Sequence, residues 1–127
     1  MQEIKKVIVK VPQAYLDLIN QLFEIEKKAT NIKEDNSIYR NTNRIKGLIE
    51  EGLLGGHSFT THNPIGEDYK ESRTDCEATI SGTGVDDLEI IEVIRPIIFY
   101  TQKENENTYK TIAQPAVVIV QSKNINQ

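Results

Sequence analysis

Two prolines constrain this chain more than any other feature, because they fall at one level of what is otherwise a long two-stranded ribbon. Leu88 to Thr101 and Thr108 to Gln121 are rich in Ile and Val, which suit a pleated surface. Glu104-Asn105-Glu106-Asn107 between them reads as a turn. Centring a hairpin between Asn105 and Glu106 sets Phe99 opposite Ile112 and Pro96 opposite Pro115. Proline has no N–H to give a ladder, so both strands must bend or bulge there. A slip of one residue would undo this register by turning every side chain to the other face. Ile90-Ile91 and Ile97-Ile98 put apolar side chains on both faces. Such a ribbon needs cover, from helices on one side and a second subunit on the other.

The helices precede it. Val7-Ile8-Val9-Lys10-Val11 reads as a short strand, and Pro12 fits the start of a helix, where its missing N–H costs nothing. Tyr15, Leu18, Ile19, Leu22, Ile25 and Ala29 then recur at helical spacing, with Asp17, Gln21, Glu24 and Lys28 on the other side. After a polar link from Asn31 to Asn36, a second helix starts near Ser37 or Thr42 and buries Ile38, Ile45, Leu48, Ile49 and Leu53. Gly55-Gly56 ends it. Cys76, Ala78 and Ile80 alternate with Glu77, Thr79 and Ser81 as a further strand. The fold class is therefore α+β: an N-terminal helical hairpin packed on a C-terminal antiparallel β-sheet with a long bent hairpin. The 127 residues suit a single domain. Residues 1–54 supply a short strand and two helices, 55–73 an irregular loop, and 74–122 the β half.

Composition excludes several classes. A formal charge of −4 gives no global attraction to nucleic acid or anionic lipid. A single cysteine, Cys76, forbids an internal disulfide and a Cys-rich zinc site. No apolar run approaches the roughly 20 residues of a membrane span, so the cytoplasm is the expected compartment. The Lys-, Asn- and Ile-heavy composition suggests an AT-rich genome, bacterial or phage, and the compartment is the host's cytoplasm if the chain is phage-encoded.

No catalytic set emerges. His57 and His62 lack a third metal ligand nearby, so no metal is assigned, and a polar loop making its own hydrogen bonds is the preferred reading. Ser58 and Thr60 stand beside His62 without the strained turn or paired carboxylate of a nucleophile. Cys76 faces inward as an inert thiol. Asp86-Asp87 and Glu67-Asp68 read as solvated turn tips. No cofactor is expected, and the chain reads as a non-enzymatic binding protein.

The arginines are the exception to a preference for lysine. Arg40 and Arg44 lie one turn apart on the second helix, Arg73 borders the loop, and Arg95 precedes Pro96. A guanidinium offers a planar fork to phosphate and stacks on rings. Arg44, Arg73 and Arg95, converging with Phe59, His62, Asn63 and Tyr69, would make a ligand-binding pocket for a nucleotide-like anion. Each alone is most often a surface or ion-pair residue.

Two resemblances follow. Lys5-Lys6-Val7-Ile8-Val9-Lys10-Val11-Pro12 with Arg44-Ile45-Lys46-Gly47-Leu48-Ile49-Glu50-Glu51-Gly52-Leu53 resembles a ribbon-helix-helix regulator, in which Lys6, Ile8 and Lys10 would face DNA bases. The β half would then serve oligomerisation or sensing. The link between the helices is longer than that family's turn, and an acidic chain is a poor start for phosphate-driven binding. Across its whole length the chain resembles the first type of Thoeris anti-defence protein. The likeness lies in overall size, two N-terminal helices, the Gly55-Gly56-His57-Ser58-Phe59 junction and a β-rich second half. It implies a phage sponge that sequesters the cyclic ADP-ribose isomers made by bacterial TIR-domain defence enzymes. It also implies a homo-oligomer with pockets near subunit interfaces and cyclic oligonucleotides as further cargo. The ribbon-helix-helix reading, with DNA as partner, is the alternative.

Overall fold

The computed structural model describes residues 2–4, 11–32, 37–104 and 106–124. Along the chain come β1 (Gln2–Ile4), α1 (Gln13–Thr30), α2 (Ser37–Glu50), β2 (Ser58–His62), β3 (Asp68–Tyr69) and β4 (Cys76–Ile80). Then follow β5 (Leu88–Arg95), β6 (Ile97–Glu104), β7 (Asn107–Gln114) and β8 (Ala116–Ser122). This is an α+β fold in which each long apolar run is cut in two at its proline, Pro96 between β5 and β6 and Pro115 between β7 and β8.

The interruption leaves a carbonyl to satisfy. Pro115 has no N–H to donate, and the buried side chain of Gln114 donates instead, from Nε2 to the carbonyl oxygen of Pro96 at 3.1 Å. Glu92 pairs with Ile119 and Val93 with Val118, which is the register expected from a hairpin centred between Asn105 and Glu106. On either side the register shifts by one, between Ile90 and Glu92 and again between Val93 and Arg95. Ile91 and Ile94 are the residues inside those shifts, and both are exposed. A bulge leaves its extra residue out of the ladder. The apolar side chains on the ribbon's second face are thus placed there by bulges.

The described chain divides into two compact units. The first comprises Met1–Thr60 and Phe99–Ala113 and carries both helices, with a sheet in the order β1-β7-β6-β2. The second comprises Thr61–Ile98 and Gln114–Gln127, with a sheet in the order β3-β5-β8-β4. Both sheets are mixed and not wholly antiparallel, because β1 runs parallel to β7 and β4 parallel to β8. Residues 81–87 carry the chain from β4 past the end of β8 to β5. The hydroxyl of Ser122 ties them down by donating to the Asp86 carbonyl at 2.7 Å.

In the first unit α1 buries Leu16, Ile19, Leu22, Phe23 and Ala29. The apolar stripe is therefore rotated from the expected one, towards Leu16 and Phe23, and Leu18 and Ile25 stay exposed. The buried face expected of α2 is a larger correction. Only Thr42 and Ile49 of that helix are buried, while Ile38, Ile45, Leu48 and, beyond its end, Leu53 are 37–57% exposed. Lys46 Nζ meets Glu26 Oε2 at 3.1 Å across the helix pair. The expected strand at Val7–Val11 falls, for residues 7–10, outside the described residues.

In the second unit β8 alternates strictly, with Ala116, Val118, Val120 and Ser122 buried. Cys76, Leu88, Ile90 and Val93 join this core. The alternation expected of β4 holds for Cys76 and Glu77 but fails at its end, since Ile80 is 43% exposed.

A candidate binding recess beside His57

The recess begins where α2 stops. Leu53 N–H reaches the Leu48 carbonyl at 3.0 Å and Gly52 N–H the Ile49 carbonyl at 3.3 Å. These are the paired bonds that close a helix around a residue of positive φ. Gly52, at φ +110°, is that residue, so the helix ends three residues before the expected Gly55-Gly56. Those two glycines have a different use. Gly56 N–H bonds the Gly52 carbonyl at 3.0 Å and His57 N–H the Leu54 carbonyl at 3.3 Å, folding the chain tightly into β2. Gly55 sits at φ +67°, and a Cβ there would come within 3.1 Å of Tyr15 Oη. Only glycine combines that backbone with that approach.

Around this knot the rings of the first unit gather. Phe59, 2% exposed, lies edge-on to Tyr15 with centroids 6.0 Å apart and edge-on to Tyr100 at 5.4 Å. The His57 ring lies 5.0 Å from that of Tyr100, and its Nδ1 is 3.0 Å from Tyr100 Oη. Edge-to-face contacts of this kind stabilise beyond simple burial. Tyr15, His57, Phe59 and Tyr100, with Pro12 and Gly55, line a hollow of about 190 Å³. His57 also lines a second hollow of about 370 Å³, whose other walls include Glu50, Glu51, Ser58, Thr101 and Gln102. One imidazole thus borders an aromatic niche and a polar one.

In the second unit the loop expected between residues 55 and 73 ends in an ionic cluster. Arg73 Nε donates to Asp75 Oδ1 at 2.6 Å, one terminal nitrogen to Glu67 Oε1 at 2.7 Å, and the other to the Asp68 carbonyl at 3.0 Å. His62 Nε2 meets Glu67 Oε2 at 2.5 Å. Burial pushes the Glu67 and Asp75 carboxyls up, but the hydrogen bonds from Arg73, joined at Glu67 by His62, outweigh it and hold both below their ordinary range. The Arg73 guanidinium is raised in turn, chiefly by Asp75. Asp68, read as part of a solvated tip, instead pairs with Lys123 Nζ at 2.5 Å. Burial pushes the Cys76 thiol up to about 11, far from the thiolate that nucleophilic chemistry needs.

The expected site residues are distributed as follows. Arg44 is exposed on α2, and Phe59 is a core ring of the first unit. His62, Asn63, Tyr69, Arg73 and Arg95 belong to the second unit. Within it His62 and Arg73 are joined through Glu67. The Asn63 side chain accepts from the Ile65 N–H at 3.1 Å, closing a local turn. Tyr69 lines a separate hollow with Asp86 and Asp87, and Arg95 is exposed at the end of β5. Arg73 is therefore an ion-pair residue whose fork is occupied by protein acceptors, and Phe59 is a buried ring in the wall of the aromatic niche. Sequence reasoning missed Tyr15, Tyr100, Glu50, Glu51 and Gln102. The one available signal was Gly55, an open backbone position beside a histidine. Among the described residues no three His, Cys, Asp or Glu side chains come together to hold a metal ion. No described helix is long and apolar enough to cross a membrane. Lys6, Ile8 and Lys10, which a ribbon-helix-helix reading places against DNA, lie outside the described residues. No protein-family model, curated protein or solved structure matches the chain.

Proposed function

We propose that this chain is a non-catalytic binding protein that holds a nucleotide-class small molecule in the recess beside His57. The observation that carries this reading is the sharing of one imidazole between an aromatic niche and a polar hollow. A planar base suits the niche of Tyr15, Phe59 and Tyr100. The Glu50 and Glu51 carboxylates accept from ribose hydroxyls, and Ser58, Thr101 and Gln102 complete the polar side. The described residues lining the two hollows are aromatic, acidic and neutral polar ones, which suit a base and its sugar. On the resemblance to Thoeris anti-defence proteins, the cargo is a cyclic ADP-ribose isomer and the role is its sequestration from a TIR-based defence. Copies associate through the bare apolar residues of α2, Ile38, Ile45 and Leu48.

The test is to titrate the protein with a cyclic ADP-ribose isomer by calorimetry, heat-denature the complex, and recover the ligand. Binding with intact recovery supports sequestration. Chemical conversion makes the protein an enzyme, and absence of binding at millimolar ligand removes the proposal.

A further inference from the structure

The second unit carries a feature independent of that recess. Its sheet ends at β4, which pairs with β8 on one side, and no described strand pairs with its other side. The ladder shows which backbone groups face outward. The Ala116 N–H bonds the Asp75 carbonyl at 2.9 Å, and the Ser81 N–H bonds the Val120 carbonyl at 2.8 Å. In a strand the N–H and C=O of one residue point to the same side, and successive residues alternate. Asp75, Glu77, Thr79 and Ser81 therefore serve β8, and Ala78 and Ile80 turn their N–H and C=O to the open edge, beyond the buried Cys76. The edge carries no proline, no lysine and no bulge, its register running unbroken from Cys76↔Ala116 to Ile80↔Val120, and Glu77 is its one charged residue.

The face next to this edge is not flat. Ala78 and Ile80 line a hollow of about 490 Å³ with Tyr69, Val85, Asp86 and Asp87. Ile80 is 43% and Val85 67% exposed, so its wall includes bare apolar surface. Among the described residues lining it are three carboxylates, Glu71, Asp86 and Asp87, and one cation, Lys70, while Lys123 Nζ stands 3.9 Å from Asp87 Oδ1 at its border and leaves Asp86 and Glu71 as the excess negative charge. A strand added to β4 lays its side chains on the same two faces as β4 does. Side chains opposite Ala78 and Ile80 would therefore enter this hollow. An apolar stem with a positive head fits it, and a carboxylate does not.

We propose that β4 is a strand-addition site for an extended basic segment of a partner protein, whose alternate Lys or Arg side chains enter the hollow beside Asp86 and Asp87. Backbone bonds from Ala78 and Ile80 hold the segment, and the carboxylates choose its charge. A second copy of this chain is disfavoured as occupant, because it brings its own acidic rim to the same place.

The probe is a fluorescent nine-residue peptide alternating Lys with Thr and Val, its binding followed by anisotropy on the full chain. Ala78→Pro removes one outward N–H without touching the groups that bond β8, and proline is tolerated at such edge positions. Its far-ultraviolet spectrum and melting temperature report that it folds. The native chain is expected to bind the peptide, Ala78→Pro to bind at least tenfold more weakly, and Asp86→Asn with Asp87→Asn severalfold more weakly with a shallower salt dependence. A peptide with Glu for Lys is expected not to bind. No binding by the native chain, equal binding by folded Ala78→Pro, or equal binding of the Glu peptide overturns the proposal. So does a native dimer that Ala78→Pro converts to monomer, since the edge would then belong to a second copy.

Discussion

Tyr100 Oη stands 3.0 Å from Nδ1 of His57, and this contact aligns the only ring shared by the two hollows of the first unit. Tyr100 is 5% exposed and packs against Phe59, so its ring is core while its hydroxyl serves the recess. Tyr100→Phe separates the two roles. Losing one hydrogen bond costs about 1 kcal/mol of stability, and the ring packing survives. Ligand affinity is expected to fall several-fold as His57 loses its orientation. Urea denaturation and calorimetry on the same variant read the two effects apart.

Gly55 and Gly56 offer a matched pair. Both have positive φ, +67° and +77°, but a Cβ meets Tyr15 Oη only at Gly55 and open space at Gly56. Gly→Ala is expected to cost about 1–2 kcal/mol at either position through the left-handed backbone alone. Gly55→Ala should lose more stability than Gly56→Ala, because it displaces Tyr15. Chemical denaturation of the two variants side by side checks this.

The cluster around Arg73 sets an acid limit on the second unit. The folded Glu67 and Asp75 carboxyls are held below their ordinary values, about 4.3 and 3.9 for free side chains. A depressed folded pKa means the unfolded chain takes up protons first as pH falls. The stabilisation is therefore complete above those ordinary values and is lost as pH drops through the lower folded ones. Arg73→Gln should remove it, flattening the fall of melting temperature below about pH 4. Arg73→Lys should restore only part, since an ammonium cannot bridge two carboxylates with a fixed fork. Melting curves from pH 7 to pH 2.5 decide it.

Gln114 is expected to matter more than a polar strand residue usually does. Gln114→Met keeps the length of the side chain but removes the Nε2 donor to the Pro96 carbonyl. A buried carbonyl left without that partner costs about 1–3 kcal/mol, measurable as a lower urea midpoint. A loss of less than about 0.5 kcal/mol would mean the carbonyl finds another donor.

How far these features could be read from sequence depends on whether they are local. The breaks at Pro96 and Pro115 were legible because proline's missing N–H acts wherever the strand pairs. The 92/119 and 93/118 register followed from the turn, but the two bulges in β5 did not, since they answer to packing over the whole sheet. α2 showed an apolar stripe, yet which part of it α1 covers depends on where the two helices touch. Gly52 ends that helix and not Gly55, because either position is chemically suitable and the choice lies in the backbone bonds to Leu48 and Ile49. The seven candidate site residues illustrate the same limit. Arginine chemistry fits phosphate and carboxylate equally, and Glu67 and Asp75 stand close enough in space to take Arg73 first. Tyr15 and Tyr100 gave no sign of a site, each reading as one more core residue in its own element.

On the proposed function, a nucleotide-class ligand enters the niche beside His57. The tyrosine ring resonances, followed by ¹³C-labelled NMR during titration with a cyclic ADP-ribose isomer, report that entry. Tyr15 and Tyr100 are expected to shift together and saturably, with Tyr69, in the separate hollow of the second unit, unmoved. Movement of Tyr69 alone, or no movement at millimolar ligand, would rule out binding in the niche.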